Sequence, residues 1–113
     1  MKLVHASEVE PQEVTEDGAQ GVAVRWLLSR PEGAPSFAMR LFELAPGGST
    51  PHHDHPWEHE VFLLEGSVEV VGVGATTRAA AGDAVLLLPG ETHQFRNPGD
   101  SPARFLCLIP LPR

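Results

Sequence analysis

Apolar and polar residues alternate along this chain in short runs, and each run stops at glycine or proline. Successive side chains leave a strand on opposite faces, so such alternation predicts half-buried strands. Val22–Leu28 is the first run, and Ser29-Arg30-Pro31-Glu32-Gly33-Ala34-Pro35 after it reads as a loop. Phe37–Leu44 follows, with Phe37, Met39 and Leu41 on one face and Ala38, Arg40 and Phe42 on the other. Ala45-Pro46-Gly47-Gly48 is expected to break it. Further strands are predicted over Val61–Leu64, Val68–Val73, Thr76–Ala80, Ala84–Leu88, His93–Arg96 and Ala103–Ile109. Residues 8–20 are polar and acidic and read as a loop or edge segment. No stretch shows a capped helical period or an internal repeat. About eight or nine short strands, evenly spaced between turn signals, predict an all-β sandwich or barrel.

Composition narrows the class. A length of 113 residues predicts one domain, 1–113, with residues 1–21 as an N-terminal arm. The single cysteine, Cys107, allows no intrachain disulfide and fits a reducing compartment. Fifteen acidic against eight basic residues give a net charge of −7, which argues against nucleic acid as a partner. No apolar run is longer than that of Ala84–Leu88, which falls far short of the ~20 residues of a membrane helix. Met1-Lys2-Leu3-Val4-His5 leads into acidic residues rather than a signal-peptide core, so a cytoplasmic location is expected.

The candidate chemistry lies in the histidines. Four of the six fall between His52 and His59. His53, His55 and His59 share a parity with Val61 and Leu63, so one face carries three imidazoles and then apolar side chains. His93 opens a later strand and can add a fourth nitrogen. Neutral imidazole is a ligand for divalent transition metals, and a buried set without metal leaves polar nitrogens to satisfy. His52 has the opposite parity and is expected to face outward, and His5 has no evident partner. Glu60 is the alternative ligand to His59, although its parity points away.

Two motifs carry a family resemblance. Gly47-x5-His53-x-His55-x3-His59-x6-Gly66 resembles the first motif of the cupin superfamily, where an acid or amide usually stands at the position of His59. Gly82-x5-Leu88-Pro89-Gly90-x2-His93-x3-Asn97 resembles the second, with Leu88 in place of a proline. The resemblance covers residues 47–66 and 82–97 and implies a single-domain jelly-roll barrel, the double-stranded β-helix. The segments His55–Phe62 and Phe105–Pro110 are similar to those of small manganese-type cupins with four histidine ligands. That similarity favours manganese, whereas ligand softness favours iron, copper, nickel or zinc.

Other residues can be placed by parity. Phe105 and Cys107 are candidates for the pocket wall over the metal, and Cys107 also reads as a small buried hydrophobe. Arg40 is either a solvent-facing residue or a cation in the lumen that anchors a carboxylate or enolate. Glu58, Thr92 and Gln94 are candidates to orient ligands or close the rim, while Trp57 and Phe62 pack the loop or a subunit interface.

Four neutral ligands leave two positions open on a six-coordinate ion. The functional expectation is a dioxygenase-type oxidoreductase acting on a small organic molecule. A non-redox isomerase or lyase of a sugar or keto acid, and a binding module without turnover, are the other classes. The edges offered by the N-terminal region and Val22–Leu28 predict a homodimer.

Overall fold

The computed structural model describes residues 1–112. Nine strands form: β1 (Gln12–Glu13), β2 (Gln20–Leu28), β3 (Phe37–Ser49), β4 (His59–Glu65), β5 (Ser67–Gly72), β6 (Ala75–Ala80), β7 (Ala84–Leu87), β8 (Gln94–Arg96) and β9 (Ala103–Pro110). Two single 3-10 turns, Ala6–Glu8 and Arg30–Glu32, are the sole helical pieces among the described residues. Every strand pairing is antiparallel.

The long strand β3 organises the barrel. Its first half lies between β2 and β9, and β9 passes the sheet on to β4 and β7. Its end, at Ser49, pairs with β8, which continues to β5 and β6. One strand thus belongs to both halves of a nearly closed jelly roll.

The expected break after Leu44 is therefore a bulge. Val22 pairs with Leu44 and Gln20 with Ser49, so residues 45–48 of β3 bow out opposite Gly21. Gly48 sits where a Cβ would stand 2.8 Å from the carbonyl oxygens of both Ala45 and Gly21. Asn97, buried, ties the bulge to β8. Its backbone N–H donates to Gly48 O, and its Nδ2 donates to the carbonyls of Leu44, Ala45 and Ser101.

Alternation holds where one face alone is buried. In β4, His59, Val61 and Leu63 face inward and Glu60, Phe62 and Leu64 outward. In β9, Ala103, Phe105 and Cys107 face inward and join Val22, Leu44, Val61, Val68, Leu87 and Phe95 in the core. β3 departs from alternation because Leu41 is buried on its outward face. Arg25 pairs with Leu41 there and donates to Ala6 O and Val9 O, which draws the N-terminal segment across that face. His5 gains a local role, because its Nδ1 accepts from Ser7 N and caps the first 3-10 turn.

Candidate metal centre

The two histidine-bearing segments are stitched side by side. Thr50 N donates to Phe95 O, His53 and His93 exchange both backbone hydrogen bonds, and Gly90 N donates to His55 O. Thr50 Oγ1 also accepts from Phe95 N. Residues 48–55 thereby run antiparallel to residues 90–97, and their histidines meet at one end of the barrel. His59, at the start of β4, enters from the adjacent strand.

Potential ligand atoms of His53, His55 and His93 all lie within 4.8 Å of one another. The Nε2 atoms of His53 and His55 are 3.1 Å apart. Two nitrogens at right angles on one ion, each at ~2.1 Å, stand about 3.0 Å apart. The observed pair therefore matches a shared ion. His59 lies beside this trio, its ring centroid 4.8 Å from that of His55 and 5.1 Å from that of His93. Its Nε2 is buried and has no hydrogen-bond partner. An orphaned imidazole nitrogen beside three convergent ones fits a metal ligand.

The other ring nitrogens of His93, His59 and His53 have neighbours of their own. His93 Nδ1–H donates to Glu91 O at 2.9 Å, which leaves its Nε2 with a lone pair. His59 Nδ1 lies 3.6 Å from Cys107 Sγ. His53 Nδ1 is 3.8 Å from a carboxylate oxygen of Glu16. The His55 ring is sandwiched between Trp57 and His59, with both centroids at 4.8 Å.

Burial favours the neutral form of His53, His55 and His59. It lowers the pKa of His53, with the neighbouring His93 adding to the shift, and lowers that of His55, helped by His53. For His59, burial and then the Arg40 charge lower it to about 3. Burial pushes the Cys107 thiol up, although Arg40 opposes the shift. Neutral imidazole is the form that binds metal.

Above the cluster opens a cavity of about 320 Å³. Val24, Trp26, Phe42, Phe95, Phe105 and Cys107 contribute apolar wall, and residues 12–16 of the N-terminal arm also line it. Phe105 and Cys107 thus stand where parity puts them. Arg40 takes the lumen position of its two alternatives: Nη2 donates to Cys107 Sγ at 3.1 Å, and its cross-strand neighbours are Trp26 and Cys107.

Other placements are corrected or filled in. Glu60 is exposed on the outward face of β4, which removes it as an alternative ligand. Glu58 is exposed and makes no side-chain hydrogen bond among the described residues. The Gln94 amide donates to Thr50 O in the backbone beside the site rather than to an imidazole. Thr92 makes no side-chain bond to an imidazole, and Trp57 packs within the histidine loop, on the His55 ring. His52 is exposed, as its parity requires. Trp26, Glu16 and Thr50 join the site without any motif to announce them. Trp26 carried one usable signal, its place on the Val22 and Val24 face of β2.

The cupin domain model matches residues 40–109. The polyketide cyclase RemF of Streptomyces resistomycificus is a structural neighbour at 40% identity and TM-score 0.93, covering 100% of this chain and 81% of that one. The tetracenomycin polyketide synthase protein TcmJ of Streptomyces glaucescens is 34% identical over 106 residues, 92% of this chain and 71% of that protein. An oxalate-binding protein of Thermotoga maritima is 32% identical over 113 residues, 95% of this chain and 92% of that protein.

Proposed function

This chain belongs to the cupin domain family, and on that premise we propose a metal-dependent enzyme that closes a ring in a small polycarbonyl molecule with loss of water. The observation that carries this reading is the convergence of imidazoles at the floor of an aromatic-walled cavity. His53, His55 and His93 would hold the ion, with His59 as fourth ligand through its orphaned Nε2. When bound, the ion supplies Lewis-acid polarisation of a substrate oxygen at the positions four nitrogens leave open.

The walls do the rest. Trp26, Phe42, Phe95 and Phe105 offer flat faces on which a conjugated substrate stacks. A folded chain held there brings its reacting carbons within attack distance, a gain in proximity that apolar walls can supply without a charged group. The same walls exclude bulk water, which favours dehydration. An enol carbon bonds to a carbonyl carbon, and the carbonyl oxygen leaves as water with two substrate protons. Carbon undergoes no net oxidation, so no co-reactant is needed. The likeness to a polyketide cyclase along the whole chain supports this substrate class.

The test uses the protein purified with its own metal and a linear aryl polyketone, incubated under argon. The expected product is one water lighter, forms faster than in a protein-free blank, and disappears with His93→Ala. Oxygen uptake matching substrate loss in air would instead establish the dioxygenase expected from the sequence. A product of unchanged mass would establish an isomerase, and substrate recovered intact a binding module. Elemental analysis of the same sample tests the manganese expectation against iron, nickel, copper and zinc.

A further inference from the structure

Among the described residues, Arg40 is the sole lysine or arginine that lines the cavity. Its guanidinium lies 5.2 Å from the ring centroid of Trp26 and 4.9 Å from that of Phe42, both also in the wall. Nη2 reaches Cys107 Sγ, but Nε is buried with no acceptor. Among the described residues, no carboxylate oxygen comes within 4.0 Å of any Arg40 nitrogen. The outer face differs in its counter-ions: Arg25 and Arg104 share Glu43 there, although Arg104 Nε also lacks a hydrogen bond, and Arg96 meets Glu69. A guanidinium clamped by two rings, lacking a counter-ion and keeping a buried donor free, has been given up by the protein's own acceptors. Aromatic faces offset part of its lost hydration but supply no anion.

We propose that Arg40 is the binding site for a carboxylate carried by a planar conjugated substrate. The proposal rests on the reading of the cavity as a substrate site and names what that substrate bears. The edge of the guanidinium that faces the cavity supplies charge-assisted donors to the carboxylate oxygens. The ring system of the same molecule continues between the aromatic walls toward the histidines. Arg40 touches His59 through Cys107, at 3.1 Å and 3.6 Å, so the anion pocket and the imidazole cluster adjoin. On a chain of net charge −7, a lone cation selects strongly, because the remaining field repels anions elsewhere.

Naphthoate and its neutral isostere naphthamide test this in the protein as purified and after metal removal by chelator. Quenching of tryptophan fluorescence reports binding, since Trp26 lines the cavity. The acid is expected to bind at least about tenfold more tightly than the amide, with and without metal. Arg40→Gln should bring the two to equal affinity, and Arg40→Lys should keep part of the preference. Equal affinity in the unaltered protein overturns the proposal and needs no variant. A preference that survives Arg40→Gln, or one that vanishes with the metal, also overturns it. A protein that prefers the acid through Arg40 yet cyclises no polyketone overturns the proposed reaction alone.

Discussion

The four imidazoles differ in what holds the nitrogen that faces away from the centre, and this sets what each substitution should do. His93 is fixed by the Glu91 carbonyl and by the backbone pair with His53, so His93→Ala should abolish stoichiometric metal. His59→Ala should lower metal content as well, whereas Glu60→Gln should leave it unchanged, because Glu60 points outward. Elemental analysis of protein purified without added metal checks all three. The depressed pKa values also make a pH prediction. Between the ordinary value of 6.5 and the about 3 of His59, the unfolded chain binds protons that the folded chain refuses. The stabilisation is full above pH 6.5 and is lost as the pH falls toward 3. Thermal melts of metal-free protein should show this loss, and His59→Gln should flatten it. The histidine set was legible in the sequence because parity in one strand and one loop put three imidazoles on a common face. Arg40 was not decidable, since alternation assigns a face but does not say which face closes into the lumen. Glu16 was hidden altogether, because its approach to His53 depends on how the arm folds back.

Among the elements, the strands that bury one face were readable, and β4 and β9 follow their alternation residue by residue. β3 was not, because Pro46, Gly47 and Gly48 are equally the residues of a turn and of a bulge, and only pairing with β2 and β8 distinguishes the two. The two glycine motifs carry structural demands of their own. Gly66 turns β4 into β5 at φ +74, and a Cβ there would stand 2.7 Å from Pro102 O. Gly66→Ala should cost about 2–4 kcal/mol in denaturant unfolding, from left-handed strain plus the clash with backbone. Asn97 closes the second motif as a brace rather than a ligand. Asn97→Ala strips the buried Leu44 carbonyl, and the part-buried carbonyls of Ala45 and Ser101, of a donor and should cost about 2–3 kcal/mol in the same measurement. Metal content per folded molecule should persist in that variant.

At the scale of the molecule, none of the described helical segments is long and apolar enough to cross a membrane. The homodimer expected from free edges meets a barrel in which β1 already covers Val24 and Ala23 of β2, while β7 pairs only through β4. Sedimentation at micromolar concentration checks that expectation, and a monomer refutes it. Metal binding to the folded state alone should raise thermal stability, by about 2.7 kcal/mol when the ion is at 100 times its Kd. Calorimetry with and without chelator measures this, and His93→Ala should abolish the difference. The pairing of residues 48–55 with 90–97 also has a kinetic meaning. Thr50 and Phe95, whose bond helps align the histidines, are 45 residues apart in the chain. Contacts of such separation form late and slowly, after much loop entropy has been lost. The ion therefore meets His93 beside His53, His55 and His59 only once these segments have paired. It should slow unfolding while leaving the refolding rate nearly untouched, so that a loaded molecule marks a barrel that has already closed.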